Sequence, residues 1–97
     1  MHAAELRKTY ADTAADTIAT AEDRQRVRLR GTLRTVTLRP RGGVPALEAE
    51  LDDGSGVITV VWLGRRRIAG ISPGRSIQVE GRIGSGLLYN PRYELIP

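Results

Sequence analysis

Cysteine is absent from this 97-residue chain, which excludes disulfide bonds, thiolate zinc sites and cysteine nucleophiles and fits a reducing cytosol. The single histidine, His2, lies in a segment with few apolar residues, so no fixed histidine base or histidine metal cluster can form. The sequence also lacks a phosphate-loop lysine motif and a dinucleotide fingerprint, and its glycines match turns instead. We therefore expect a protein that is not an enzyme and that uses neither a cofactor nor a metal.

Long apolar runs are missing as well. No run approaches the ~20 residues that a membrane span needs, and the N-terminal segment has no hydrophobic stretch of the signal-peptide type. We expect a cytoplasmic protein without a membrane partner. Ninety-seven residues suffice for one domain that buries roughly 60–70% of its unfolded surface.

The charge is unevenly distributed, although the net value is only +4. Residues 1–23 hold two cations and five acids, whereas residues 24–97 hold thirteen arginines and six acids, a balance of +7. A basic domain of this size attracts polyanions such as nucleic acid, although G+C-rich coding or a merely solvated surface would give the same composition. We predict that residues 1–23 are a leader, mobile or loosely helical, which could cover the basic face, and that residues 24–97 are the folded domain.

The stretch from Arg26 to Arg39 predicts a strand that is apolar on one face and cationic on the other. Alternate residues of a strand share a face, so one face would carry four arginines, namely Arg26, Arg28, Arg30 and Arg34. The apolar parity slips by one between Leu33 and Val36, which then shares the core face with Leu38. This slip, following Gly31, predicts a β-bulge in a strongly coiled strand.

The rest of the domain predicts further short strands separated by glycine and proline, which is typical of an all-β barrel or sandwich. Asp52 and Asp53 precede glycine in a hairpin turn, where they form turns far more often than they bind a metal. The predicted elements are strands over Val44–Asp52 and Val57–Leu63, a short helix over Gly64–Ile71, and strands over Ser76–Gly84 and Leu87–Ile96.

Five strands with a short helix between the third and fourth match the five-stranded Greek-key barrel called the OB fold. Three segments resemble the anticodon-binding type of OB domain: residues 51–62, the Pro73-Gly74 turn with the strand through Val79-Glu80-Gly81, and residues 90–94. The chain is also similar to the wedge domain of the bacterial branch-migrating helicase, and to small stand-alone OB-fold proteins of high-G+C bacteria. The resemblance covers about residues 24–96.

The resemblance implies a binding face on the outer side of the second and third strands, assisted by the first strand and two loops. Thr59 then lies where relatives contact a base, and Arg39 and Arg41 lie in the loop between the first two strands. Glu48 and Glu50 occupy this face where relatives often carry an aromatic residue. Since a carboxylate repels phosphate and cannot stack, we expect weaker or differently placed binding.

The roles of the aromatic residues stay open in the sequence. Trp62 shares parity with Ile58 and Val60, which favours the core over stacking on a base, and Tyr93 is also predicted to lie in the core. Tyr89 adjoins the loop between the fourth and fifth strands and is an equal candidate for stacking or for a structural role.

The remaining arginines also have two interpretations. Arg65, Arg66 and Arg67 are either a solvated helix start or a phosphate contact, although cations at a helix N-terminus oppose its dipole. Arg92 contacts phosphate or pairs with Glu94, and the arginine stripe could instead pair with Glu48 and Glu50 across the sheet.

These observations predict a non-catalytic protein that binds single-stranded DNA or RNA with low sequence specificity, through arginine–phosphate contacts and limited stacking. The alternative is a protein-interaction module that docks on a larger repair, recombination or translation factor. The expected nucleic-acid-binding residues are Arg28, Arg30, Arg34, Arg39, Arg41, Thr59, Trp62, Arg65, Arg66, Tyr89 and Arg92.

Overall fold

The computed structural model describes residues 16–97, which form an all-β, barrel-like structure. The only helical segment among them is a single 3₁₀ turn, Ile18–Thr20, and none of their helices is long and apolar enough to cross a membrane. The strands are β1 (Arg26–Leu38), β2 (Ala46–Asp52), β3 (Val57–Leu63), β4 (Ser76–Gly84), β5 (Leu87–Tyr89) and β6 (Arg92–Leu95).

Five of the strands form a hydrogen-bonded ring. β2 pairs antiparallel with β1 and β3, β3 runs parallel to β5, and β5 pairs antiparallel with β4. β1 closes the ring because residues 26–32 pair with β4 whereas residues 32–38 pair with β2. β6 pairs with β4 alone.

The change of partner along β1 coincides with the predicted irregularity. The register with β2 shifts between Leu33 and Thr35, so the predicted bulge is confirmed. Gly31 lies two residues before Leu33, and a Cβ there would collide with the carbonyl oxygen of Asp52. Glycine therefore lets the two backbones approach each other where the strand coils from one partner to the other.

The core consists of inward side chains from the ring strands, in the alternation that the sequence predicts, together with Ile68 and Ile71 from the β3–β4 connection. Val36 is half-buried against this core. Leu38, however, is 48% exposed, because it is the last residue of β1 and lies at the end of the β1–β2 pairing. Its predicted place in the core is wrong.

The predicted helix over Gly64–Ile71 is also wrong. The connection between β3 and β4 consists of turns, and its glycines at 64, 70 and 74 all have φ between +76° and +86°. These left-handed conformations interrupt a right-handed helix, and only five residues separate Gly64 from Gly70. Ile68 and Ile71 nevertheless reach the core without a helix, 3% and 7% exposed respectively.

The predicted fifth strand is divided into β5 and β6. Asn90 has a φ of +47°, and Pro91 follows it without an N–H group to donate. The chain therefore turns after its parallel pairing with β3 and pairs with β4 instead. The single strand over Leu87–Ile96 was not a correct prediction, because this turn separates two pairing partners.

Part of the predicted leader lies against the barrel. Ile18 packs on the core, its N–H donates to Oδ2 of Asp53 at 2.9 Å, and the N–H of Ala19 donates to Oγ of Ser55 at 3.1 Å. The segment before Asp16, with His2 and the remaining leader acids, lies outside the described residues.

Candidate nucleic-acid interface

The outer side of β2 and β3 carries a shallow groove of hydroxyls and carboxylates, which we name the β2–β3 face. It comprises Thr35 and Thr37 of β1, Glu48 and Glu50 of β2, and Thr59 of β3. The Thr35 hydroxyl donates to Oε1 of Glu50 at 3.1 Å. The predicted base-contacting position, Thr59, therefore lies in a groove whose floor holds two carboxylates.

The turn between β1 and β2 brings Arg41 over this face. Arg41 and Val44 exchange both backbone hydrogen bonds, at 2.9 and 3.0 Å, around Gly42 and Gly43 with φ of +56° and +80°. Two consecutive positive φ angles are the signature of a type I′ hairpin turn, which only glycine, asparagine and aspartate readily adopt. The turn is thus a narrow hairpin, and its first residue carries the guanidinium group.

Arg41 joins two parts of the chain that are distant in sequence. Its Nη1 donates to the hydroxyl of Tyr89 at 3.1 Å, its Nη2 donates to Oε2 of Glu48 at 3.1 Å, and its guanidinium carbon lies 5.7 Å from the centroid of the Tyr89 ring. Glu48, Val61 and Tyr89 are adjacent in the sheet register, and Val61 between them is fully buried although it faces outward. Arg41 therefore spans the side chains on either side of Val61.

In this arrangement Arg41 keeps guanidinium N–H donors that are not used in hydrogen bonds. Two of the five guanidinium N–H groups are used, and Nε is buried without a hydrogen-bond partner among residues 16–97. Glu48 also lies 3.9 Å from Nε of Arg39, whose side chain is largely exposed. The β2–β3 face thus has two arginines at its rim, both associated with one carboxylate.

Asn90 fixes the backbone beside Tyr89. The N–H of Asn90 donates to the carbonyl of Val61 at 2.7 Å, and its side-chain Oδ1 accepts from the N–H of Leu63 at 2.9 Å. These bonds hold the end of β5 against β3. Tyr89 is 38% exposed, so one part of its ring remains accessible beside Arg41.

The arginines in the first half of β1 lie on the side of β4, away from the β2–β3 face. Nη2 of Arg28 is 3.4 Å from Glu80, and Nη2 of Arg26 is 3.8 Å from the same carboxylate. The alternative in which this stripe pairs with Glu48 and Glu50 is therefore wrong for Arg26 and Arg28, because residues 26–32 pair with β4 and not with β2. Arg30 lies opposite Gln78.

Of the two aromatic residues predicted to lie in the core, Trp62 is buried and Tyr93 is exposed. Trp62 is 5% exposed, and its Nε1 donates to the carbonyl of Pro91 at 3.3 Å, so the core interpretation is confirmed and the ring has no open face for a base. Tyr93 is 41% exposed and meets Trp62 edge-on, with ring centroids 5.8 Å apart. Its predicted burial is wrong because Tyr93 lies on β6, outside the ring of strands.

The other sequence-predicted arginines do not converge on the β2–β3 face. Arg34 is exposed at the bulge of β1, Arg65, Arg66 and Arg67 are exposed in the β3–β4 connection, and Arg92 lies opposite Glu80 on β6. The structure brings together Arg39, Arg41, Thr59 and Tyr89. Sequence reasoning missed Glu80, although the alternation of β4 indicated that this carboxylate points outward beside β1.

The acidic turn between β2 and β3 has a structural role. Partial burial acts to raise the pKa of Asp53, but hydrogen bonds from the Ser55 hydroxyl and from the N–H groups of Ile18, Ser55 and Gly56 outweigh it and hold that pKa below its usual 3.8. Oδ1 of Asp52 accepts from the N–H of Gly54 at 2.8 Å. Within residues 16–97, no group of three or more histidine, cysteine or acidic side chains is placed to hold a metal ion.

Comparison with known proteins identifies no relative of this chain. No protein-family model matches the chain, and no curated protein matches it.

Proposed function

We propose that residues 24–97 form an OB-fold domain that binds single-stranded nucleic acid with little sequence preference and without catalysis. The pairing supports this fold: β4 lies beside β1, which is followed by β2 and β3, and this is the spatial order 4-1-2-3 of a Greek key. The parallel contact of β3 with β5 completes a five-stranded ring, although the helix expected between β3 and β4 is missing.

The observation that carries the functional proposal is the contact between Arg41 and Tyr89. It joins the β1–β2 turn, one of the loops with which OB barrels bind oligonucleotides, to Tyr89, the last residue of β5, which lies beside Val61 of β3. A cation above an accessible aromatic ring offers a phosphate contact and a stacking surface within a few ångströms of each other. Stacking on such a ring contributes ~1–3 kcal/mol per base and tolerates every base.

The carboxylates on the same face limit the affinity. The face has two carboxylates and two cations, so these four residues give it no net charge. They are Glu48, Glu50, Arg39 and Arg41. Phosphates are attracted to the rim, where the guanidinium groups lie, and repelled by the floor. We therefore expect micromolar binding that weakens steeply with salt.

Fluorescence anisotropy of labelled ~20-nucleotide strands, single-stranded DNA and RNA against duplex DNA, tests this function. For Z phosphate contacts the log–log salt slope is about −0.7Z, so a slope of about −2 to −4 with single strands preferred is expected. Equal affinity for every polyanion, or no binding at physiological salt, would contradict the proposal.

A pair of tyrosine variants tests the stacking surface. Tyr89→Leu should weaken binding by ~1–3 kcal/mol, because it removes a ring on which a base stacks. Tyr93→Leu is the matched control, since Tyr93 has similar exposure but lies away from Arg41 and the β2–β3 face. Equal losses in the two variants would remove Tyr89 from the binding site.

A second candidate function is docking on a larger protein. Val44 and Leu63 are 44% and 40% exposed, and Leu63 pairs with Ala46 at the end of the β2–β3 face nearest Val44. Exposed aliphatic residues of this kind do not contribute to phosphate binding. If this function is correct, a Val44→Ser/Leu63→Ser variant loses a partner that the wild-type protein retains in nuclease-treated lysate, and nucleic-acid affinity is unchanged.

A further inference from the structure

The outward side of β1 carries cations and hydroxyls along its whole length and no carboxylate. The sequence contains no aspartate or glutamate between Arg24 and Leu47. Because β1 coils around the barrel, its outward residues pass from the β4 side to the β2–β3 face without interruption. We name this line the β1 track. It comprises Arg26, Arg28, Arg30, Thr32, Arg34, Thr35 and Thr37 of β1, together with Arg39, which directly follows the strand.

A single carboxylate holds two arginines at each end of the track. Glu80 lies within 3.8 Å of Arg26 and Arg28, and Glu48 lies within 3.9 Å of Arg39 and Arg41. Each group of three side chains keeps a net charge of +1, and at the Arg28 end the Asp16 carboxylate also lies beside β1, where it accepts the N–H of Arg28 at 2.8 Å.

We propose that a single strand of nucleic acid follows β1 around the barrel, with its phosphates on the β1 track, and does not cross the β2–β3 face alone. This inference rests on the proposed function and assigns the path of the ligand. Thirteen residues of β1 at ~3.3 Å each span ~43 Å. At a rise of ~3.4 Å per nucleotide this length accommodates at most about twelve nucleotides, within the range of about 4–16 known for OB folds.

The distribution of charge favours a nucleic acid over an acidic protein segment. The cations recur along one strand from Arg26 to Arg39, with threonine hydroxyls between them that can donate to phosphate oxygens. A polyanion with one charge in every repeating unit can contact these cations along the whole β1 track. An acidic peptide is nonetheless a distinguishable occupant, and the experiment includes it as a competitor.

Two double variants of equal charge test the path. Arg26→Gln/Arg34→Gln removes two cations from the track. Arg66→Gln/Arg67→Gln removes two exposed cations from the β3–β4 connection, which is not part of the track, so the path excludes Arg66 although the sequence suggested it as a binding residue. Each phosphate contact contributes about fivefold in affinity at 0.1 M salt, given a slope of about −0.7 per contact. The track variant should therefore bind about 25-fold more weakly with a slope smaller by about 1.4, whereas the control should keep the wild-type slope.

A charge-conserving variant, melting temperatures and a competitor distinguish failure of the path from failure of nucleic-acid binding. Arg26→Lys/Arg34→Lys should retain the wild-type slope because it keeps both charges, and unchanged melting temperatures show that all the variants fold. Equal losses in the track and control variants overturn the path while leaving nucleic-acid binding intact, whereas a wild-type protein that does not bind removes the proposed function itself. Polyglutamate that displaces the strand at equal charge concentration also overturns the path.

Discussion

Oδ2 of Asp16 accepts a hydrogen bond of 2.8 Å from the backbone N–H of Arg28 in β1. The segment that follows Asp16 continues to the β2–β3 turn, where Asp53 accepts the N–H of Ile18. Farther along, Asp23 accepts the N–H of Gly86 at 2.9 Å. Two acids of the predicted leader thus bind the backbone of the barrel, and the hypothesis that the leader competes with a ligand now rests mainly on acids outside the described residues.

Replacing Asp16 should loosen the N-terminal segment and leave the barrel intact. Asp16→Ala removes a charge-assisted acceptor from the N–H of Arg28, which should cost about 1 kcal/mol of the free energy of unfolding. Hydrogen exchange monitored by NMR should show faster exchange at the Arg28 amide. Glu22→Ala, which removes an exposed acid of the same segment, serves as the control, and an Arg28 amide with wild-type protection would contradict the anchoring role.

The turn at Asp53 should make stability depend on pH in the acid range. Because its pKa is lowered in the folded protein, this carboxylate stabilises the fold above a pH of about 3.8, and the stabilisation disappears as the pH falls through the folded-state pKa. Asp53→Asn should cost about 1–2 kcal/mol at pH 7, and the difference from wild type should shrink below pH 3.8. Urea unfolding at several pH values measures this, with Glu94→Gln as the charge control. A difference that does not vary with pH would contradict the prediction.

Two glycine-to-alanine variants should have different effects. Gly31→Ala places a methyl group against the Asp52 carbonyl, so we expect a loss of at least about 2 kcal/mol in the free energy of unfolding. Gly84 has no atom within 4 Å of its missing Cβ and an ordinary φ, so Gly84→Ala should be nearly neutral. Urea denaturation compares them, and equal stability of the two variants would argue against the close approach of β1 to β2.

Neutralising Glu48 should strengthen nucleic-acid binding. Glu48→Gln removes the carboxylate shared by Arg39 and Arg41 and leaves the β2–β3 face with a net positive charge. We expect about fivefold tighter binding of a single strand at 0.1 M salt, equivalent to one additional phosphate contact. Glu22→Gln removes the same charge from an exposed residue that does not line this face. If both variants tighten binding equally, the effect belongs to the net charge of the protein.

The fluorescence of Trp62 should not change when a single strand binds. Its indole is buried and donates to Pro91, so a saturating single strand should leave its emission maximum and intensity nearly unchanged. Anisotropy of the labelled strand, recorded on the same samples, verifies that binding has occurred. Strong quenching at full saturation would return Trp62 to the set of stacking residues.

Strand alternation made much of the ring predictable. The limits of β3 and β4, the turn around Asp53 and the bulge after Gly31 follow from local periodicity and turn chemistry. The β3–β4 connection was not predictable in the same way, because two isoleucines at a helical spacing are equally compatible with turns whose glycines have positive φ.

The candidate site was only partly predictable for a related reason. The sequence indicates that Arg41 lies in a loop and that Tyr89 lies near one, but their contact depends on the parallel pairing of β3 with β5, of which Tyr89 is the last residue. Likewise, which carboxylate meets the arginines of β1 depends on where the strand changes partner, at Gly31 and Thr32. Single-strand periodicity assigns a residue to a face but does not identify its neighbour across the sheet.

The double pairing of β1 also favours one order of folding over others. The hairpins of β1 with β2 and of β2 with β3 join residues close in sequence, whereas Arg26 meets Arg82 at the far side of the ring. Closing so long a loop costs more chain entropy than forming either hairpin. We expect an early three-stranded meander and a slow final closure by β4, so that destabilised variants expose the first half of β1 as an open edge prone to intermolecular pairing.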